Sequence, residues 1–149
     1  MKPIRIYLDI CCLNRSLDDQ SQLTVQLETQ AIWFILQRIY NKECELVWSY
    51  YIDFENENNP HDSKKEAVAG LRNHASLIVK PTDEIEQTAV LLQSKGLRPI
   101  DASHVACAIH TQCQYFITVD RKIINKPIKN IMVINPVSFV QIYEEISKP

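Results

Sequence analysis

Three acidic residues of this chain follow apolar runs, and a fourth begins an Ala-rich segment. Asp9, Glu55 and Asp120 come after the runs, and Asp101 is the fourth acid. If the runs form strands of an open parallel sheet, their carboxyl ends face one crevice, so acids that are far apart in sequence meet there. Converging carboxylates predict a divalent metal site or a cluster of acids with perturbed pKa values.

The apolar runs alternate with segments of helical periodicity along the chain. Strands are predicted over residues 4–9, 46–50, 77–79, 115–119 and 131–134, and helices over 22–40, 62–73, 81–96, 101–111 and 135–146, with a loop over 14–21. This alternation predicts an α/β fold, a three-layer α/β/α sandwich with a mostly parallel central sheet. No linker or repeat divides the chain, so residues 1–149 are expected to form one domain.

Two of the predicted helices carry capping signals at their N-termini. Asp62 or Ser63 is expected to cap the second helix, and Asp83 and Glu86 are expected to pair in a capping box at the third. Gly96 is predicted to end the third helix as the residue after its C-cap.

Composition and net charge argue against nucleotide cofactor use and against a strong overall attraction to nucleic acid. The chain has only two glycines, whereas phosphate-binding loops need several, so no nucleotide cofactor is expected. A net charge of -2 gives no overall attraction to nucleic acid, and such binding would depend on local basic patches.

Cysteine usage and hydropathy predict a cytoplasmic protein. The five cysteines are an odd number without a Cys-x-x-Cys pair, which is not typical of a secreted disulfide framework. No N-terminal segment resembles a signal peptide, and the longest apolar run, residues 31–36, is too short to cross a membrane.

Three segments carry a family resemblance. They are Ile6-Tyr7-Leu8-Asp9, Leu97-Arg98-Pro99-Ile100-Asp101-Ala102-Ser103-His104-Val105-Ala106 and Phe116-Ile117-Thr118-Val119-Asp120. In these segments the sequence resembles the PIN domain family of metal-dependent ribonucleases, many of which are toxins of toxin-antitoxin pairs. Ser49 and Glu55 match the family's small polar residue and the Glu that follows its second strand. The resemblance covers nearly the whole chain and implies the fold predicted above.

The resemblance implies a role for each acid. Asp9 and Asp120 are expected to bind a metal directly, while Asp101 and Glu55 bind it through water or deprotonate the attacking water. Mg²⁺ and Mn²⁺ suit a carboxylate site, and either ion would serve phosphodiester hydrolysis.

One position departs from the family pattern. The residue two positions after the first Asp is Cys11, where the family usually has a small polar residue. A thiol is a weak hydrogen-bond partner, so Thr118 or Asn14 is expected to support the site, with Ser49 behind the second strand.

Basic residues near the acids are candidates for binding the substrate. Arg15, with Asn14 beside it, lies in the loop after the first strand, and Arg121, Lys122, Lys126 and Lys129 follow Asp120 without an acid among them. They are expected to contact phosphates, and the alternative is an ordinary solvated surface.

Three of the four acids also have a structural alternative, while Asp9 is the hardest to explain without a partner. Asp101 would favour the positive end of its helix, Asp120 would be a turn residue or cap, and Glu55 would be a solvated helix residue with Glu57 as its rival. His104, Cys107, His110 and Cys113 cannot close one tetrahedron from a single helix, so zinc is not expected, and His104 is read as a packed residue.

The functional expectation is a Mg²⁺- or Mn²⁺-dependent endoribonuclease that cuts single-stranded RNA. If the protein is a toxin, an antitoxin protein is an expected partner. The family resemblance also implies a homodimer as a possible assembly. Two alternatives stay open: a catalytically weak PIN-like module that binds RNA or protein, and a metal-dependent phosphatase-like hydrolase. The second is disfavoured because no Asp-x-Asp pair follows the first strand.

Overall fold

Five parallel strands form one central sheet in the computed structural model, which describes residues 2–149. The strands are β1 (Ile4–Leu8), β2 (Cys44–Ser49), β3 (Leu77–Val79), β4 (Tyr115–Ile117) and β5 (Met132–Ile134). Their order across the sheet is β3-β2-β1-β4-β5, and each neighbouring pair is parallel. The topology changes direction between β1 and β4, which is where an open α/β sheet forms its crevice. The predicted parallel α/β fold is confirmed.

Helices connect the strands. They are α1 (Ile10–Arg15), α2 (Leu23–Tyr40), α3 (Tyr50–Glu57), α4 (Asp62–Leu71), α5 (Asp83–Ser94), α6 (Pro99–His110), α7 (Arg121–Ile124) and α8 (Pro136–Ile146). Helices α5 and α6 pack together, as do α2 and α8. Among the described residues, no helix combines the length and the apolar character that crossing a membrane requires.

Two helices of the structure, α1 and α3, are absent from the sequence-based prediction. Helix α1 starts directly after Asp9, so the predicted loop over 14–21 begins inside a helix. Strand β2 ends at Ser49, whose Oγ accepts the backbone N–H of Ile52 and caps α3. The cap turns the chain into a helix at once. Glu55 therefore lies on a helix and not on an extension of the strand.

The capping predictions for α4 and α5 are wrong. His61 is the N-cap of α4 and makes no side-chain cap bond, so neither Asp62 nor Ser63 is the N-cap. Thr82 caps α5 by accepting the N–H of Ile85, because its extended backbone places Asp83 and Glu86 inside the first turn. Gly96 follows the C-cap of α5 with φ 102°, as predicted.

The middle strands carry the largest buried side chains. Tyr7 on β1, Trp48 on β2 and Phe116 on β4 are at most 1% exposed, because a parallel sheet covered on both faces buries its central strands completely. The rings of Tyr7 and Phe116 stack with centroids 5.3 Å apart. This packing fixes the phenol of Tyr7 beneath the carboxyl edge of the sheet.

Candidate metal centre

Asp9 lies at the carboxyl end of β1, where it is the N-cap of α1 and only 5% exposed. Its backbone N–H donates to the carbonyl of Ile117, and its Oδ2 accepts a 2.8 Å hydrogen bond from the Thr118 hydroxyl. Burial raises the pKa of the Asp9 carboxyl, while the neighbouring His104 and the Thr118 hydrogen bond oppose that rise. A buried carboxylate of this kind is stabilised by a nearby cation.

Glu55 approaches the same edge of the sheet from α3. Its Oε1 lies 2.9 Å from Nε2 of His104, a fully buried residue of α6. The other ring nitrogen of His104, Nδ1, lies 2.6 Å from the Tyr7 hydroxyl. Two helices and a strand thus converge on one imidazole.

These residues form a compact set of potential metal ligands. Donor atoms of Asp9, Glu55 and His104 all lie within 4.8 Å of one another, and no other group of three or more His, Cys, Asp or Glu side chains in residues 2–149 was found to do so. Two carboxylates and an imidazole are suitable ligands for a divalent cation. The cluster is therefore able to hold a metal ion.

Asp101 and Asp120 lie outside this set and share an arginine. Arg98 Nε contacts Asp101 Oδ2 at 2.8 Å, and its Nη2 lies 3.8 Å from Asp120 Oδ2. Asp101 is buried in the first turn of α6, and Asp120 caps α7 by accepting the N–H of Lys122. The four predicted acids therefore form two pairs, one with His104 and one with Arg98.

Thr118 connects the two pairs. Its hydroxyl donates to Asp9 and accepts the backbone N–H of Asp120 at 3.0 Å. The Cys11 thiol lies 3.4 Å from the same hydroxyl. Asn14 contacts Asn59 at 3.5 Å. Thr118 thus makes the supporting contact with Asp9 that the sequence assigned to either Thr118 or Asn14.

Ser49 supports the site indirectly. Besides capping α3, its Oγ lies 2.6 Å from the Tyr7 hydroxyl. Ser49, Tyr7 and His104 are fully buried, so these hydrogen bonds form away from solvent. The sequence analysis placed Ser49 near the acids, and the structure connects it to Glu55 through Tyr7 and His104.

Arg15 is engaged within the protein. Its guanidinium lies 3.1 Å from both Asp18 and the buried Glu28, which ties α1 to α2. Lys64 also contacts Asp18 at 3.0 Å. A phosphate would have to compete with two carboxylates for Arg15.

Part of the basic segment after Asp120 lies beside the acids. A cavity of about 250 Å³ is lined by residues that include Arg98, Asp101, Lys122 and Lys126. Arg121 and Lys129 are not among its lining residues. The predicted basic edge is therefore divided, with two lysines next to Asp101.

Three residues of the site had no functional role in the sequence analysis: Tyr7, Arg98 and His104. Tyr7 and Asp9 are two positions apart on the strand predicted over residues 4–9 and so share a face, which was a usable signal. His104 is one helical turn from Asp101, also a usable signal. Arg98 precedes a helix as an ordinary basic residue and gave no sign of its contacts.

The sheet and its acidic carboxyl edge define an α/β protein with a candidate metal centre. The family model of the PIN domain matches residues 6–129, most of the chain. This chain belongs to the PIN domain family.

Two solved structures are similar to this chain, and the first shares its fold. VapBC2 from Rickettsia felis, bound to a DNA fragment from its promoter, matches with a TM-score of 0.54 and 12% identity over 89% of this chain and 98% of that chain. VapC20 from Mycobacterium tuberculosis, a toxin that cleaves the sarcin-ricin loop, matches with a TM-score of 0.49 and 13% identity over 82% and 96% of the two chains. No curated protein matches this sequence.

Proposed function

We propose that this protein is a Mg²⁺- or Mn²⁺-dependent endoribonuclease that hydrolyses phosphodiester bonds of single-stranded RNA. The observation that carries the proposal is the convergence of Asp9, Glu55 and His104 at the carboxyl edge of the sheet in a PIN domain. Asp101 and Asp120 supply further carboxylates through the Thr118 and Arg98 contacts.

The residues present fit a divalent metal. Asp9 and Glu55 would hold it directly, because their oxygens already lie within reach of one ion and burial of Asp9 disfavours an uncompensated charge. Asp120 and Asp101 would bind through water. This assignment exchanges the roles that the sequence analysis expected for Asp120 and Glu55, which were a direct ligand and a water-mediated one. When bound, the ion supplies a Lewis acid that activates water and neutralises charge on the phosphate.

The protein's own side chains would orient the reaction. Glu55, with Oε1 held by His104, would accept a proton from the attacking water at Oε2. Arg98 is 66% exposed and lies between two acids, so its guanidinium can turn toward a phosphate oxygen. Lys122 and Lys126 would hold the adjoining phosphates of the strand.

A second candidate function is a catalytically weak module that binds RNA. The ion pair between Arg98 and the buried Asp101 favours it, since a fixed arginine would occupy a carboxylate that the metal site needs. The two candidates differ in whether Arg98 yields to metal and substrate.

We also propose that residues 1–149 form one cytoplasmic domain acting as the toxin of a toxin-antitoxin pair. Large apolar side chains that are exposed on α3 and α5 support a protein partner, either an antitoxin or a second copy; they are Tyr50, Phe54, Val90 and Leu91. The neighbour VapBC2 supports the fold on which this proposal rests.

The test is cleavage of a labelled single-stranded RNA by purified protein in Mg²⁺, in Mn²⁺ and in chelator. We expect internal cleavage with either ion, none in chelator and none by Asp9→Asn. The control variant is Asp53→Asn, which removes an acid that contacts Trp48 and Arg72 and lies outside the described ligand set. RNA binding without cleavage would favour the weak module, and equal cleavage in chelator would overturn the metal-dependent proposal.

A further inference from the structure

His104 lies at the centre of a buried chain of hydrogen bonds that ends at Glu55. Ile52 N–H donates to Ser49 Oγ at 3.2 Å, and Ser49 Oγ lies 2.6 Å from the Tyr7 hydroxyl. Tyr7 in turn contacts His104 Nδ1 at 2.6 Å, and His104 Nε2 contacts Glu55 Oε1 at 2.9 Å. Both ring nitrogens therefore have partners within the protein.

The chemistry of the partners gives the chain a direction. An ionised Glu55 only accepts hydrogen bonds, so Nε2 of His104 must carry the proton that it donates. In a neutral imidazole Nδ1 is then an acceptor, and the Tyr7 hydroxyl donates to it. Ser49 completes the chain by donating to Tyr7 while accepting from Ile52.

We propose that His104 is a positioning residue that orients Glu55 for metal binding, with Tyr7 and Ser49 supporting its Nε2–H tautomer. This inference rests on the proposed metal-dependent function. It assigns His104 no direct metal bond, although its Nε2 lies within the ligand cluster, because that nitrogen donates to Glu55.

The two carboxylates of the cluster need separate support. Asp9 has a short side chain at a strand end and is held by Thr118. Glu55 has a longer and more flexible side chain, about a third exposed, on the eight-residue helix α3. His104 holds Glu55 close to the Asp9 carboxylate, a like charge, before a metal binds. Metal binding then costs less side-chain entropy. His104 does for Glu55 what Thr118 does for Asp9.

A matched pair of substitutions separates positioning from packing. His104→Gln places an amide near Nε2, where it can still donate to Glu55, whereas His104→Asn places an amide near Nδ1, where it can contact only Tyr7. Both variants bury one neutral amide and lose one hydrogen bond. Their melting temperatures in chelator should therefore be similar.

The measurement is Mn²⁺ affinity, read from the electron paramagnetic resonance signal of free Mn²⁺. We expect His104→Gln to stay within about threefold of wild type and His104→Asn to lose about 10- to 100-fold, the usual range when the support of a metal ligand is removed. Equal losses in both variants, or none in either, would overturn the role of His104. Wild type that binds no Mn²⁺ would instead overturn the proposed metal-dependent function on which this role rests.

A second measurement needs no variant of His104. Nitrogen-15 NMR of the wild-type imidazole in chelator should show the Nε2–H tautomer, and Tyr7→Phe should allow the other tautomer to appear and weaken Mn²⁺ binding. Tyr7→Phe keeps the ring that stacks on Phe116. A wild-type Nδ1–H tautomer would overturn the proposal even if both His104 variants fail to fold.

Discussion

Thr118 and Asp9 are 109 residues apart in sequence, and the Thr118 hydroxyl donates a 2.8 Å hydrogen bond to Oδ2 of the Asp9 carboxylate. Thr118 is fully buried and directly follows β4, which holds its backbone in place. Because Asp9 is itself buried, this bond decides where its carboxylate points.

Replacing Thr118 with Val removes that bond at nearly constant volume. We expect Mn²⁺ affinity to fall about 10- to 100-fold and stability in chelator to fall by about 1–3 kcal/mol, because a buried polar group loses its partner. Calorimetric titration and thermal melts measure the two effects. Thr118→Ser is the control, since it keeps the hydroxyl, and a Val variant that binds Mn²⁺ like the Ser variant would contradict the role of Thr118.

Asp9→Asn should change the pH dependence of stability in chelator. Burial raises the pKa of Asp9 in the folded protein, so its contribution to stability is fully present below the ordinary pKa of 3.8 and is lost as pH rises through the higher folded pKa. Asn has no such loss. The free energy of unfolding of Asp9→Asn, measured by denaturant titration, should therefore rise relative to that of wild type as pH increases from acidic to neutral.

Excess Mg²⁺ should reverse this order at neutral pH, because ligand binding stabilises only the protein that binds it. Wild type should melt at a higher temperature with Mg²⁺ than in chelator, while Asp9→Asn should respond little. A response of the variant as large as that of wild type would exclude Asp9 as a ligand.

Arg98→Ala should separate the weak module from the nuclease. Removal of the guanidinium from Asp101 and Asp120 leaves two acids uncompensated, so Mn²⁺ should bind more tightly while RNA binds more weakly. Arg72→Ala is the control, because Arg72 is an exposed arginine that pairs with Asp53 instead. Cleavage at saturating RNA that rises in Arg98→Ala would identify Arg98 as an inhibitory contact.

Two double variants test the cavity beside Asp101. Lys122→Ala with Lys126→Ala removes two charges that line it, and Arg121→Ala with Lys129→Ala removes two charges from the same segment that do not. We expect only the first pair to lower the slope of log affinity for RNA against log salt, by about 0.7 for each phosphate of a single strand that is no longer neutralised. Equal slopes for both pairs would make the segment a general basic surface.

The sequence by itself determined the parallel sheet and the placement of Asp9. Apolar runs that alternate with helical periodicity permit few arrangements, and an acid directly after a buried strand must lie at the sheet's carboxyl edge. Gly96 marked the end of α5 correctly because its backbone constraint is local. These features depend on neighbours in sequence, so a single chain reveals them.

Only the tertiary structure decided which partner each acid has. Glu55 meets His104 across 49 residues because α3 and α6 pack together, and Arg98 reaches Asp120 because α6 and α7 begin on the same side of the cavity. Arg15 pairs with Glu28 for a similar reason, as α1 lies against α2. Such contacts depend on the distances and rotations between packed helices, which no local pattern of residues specifies.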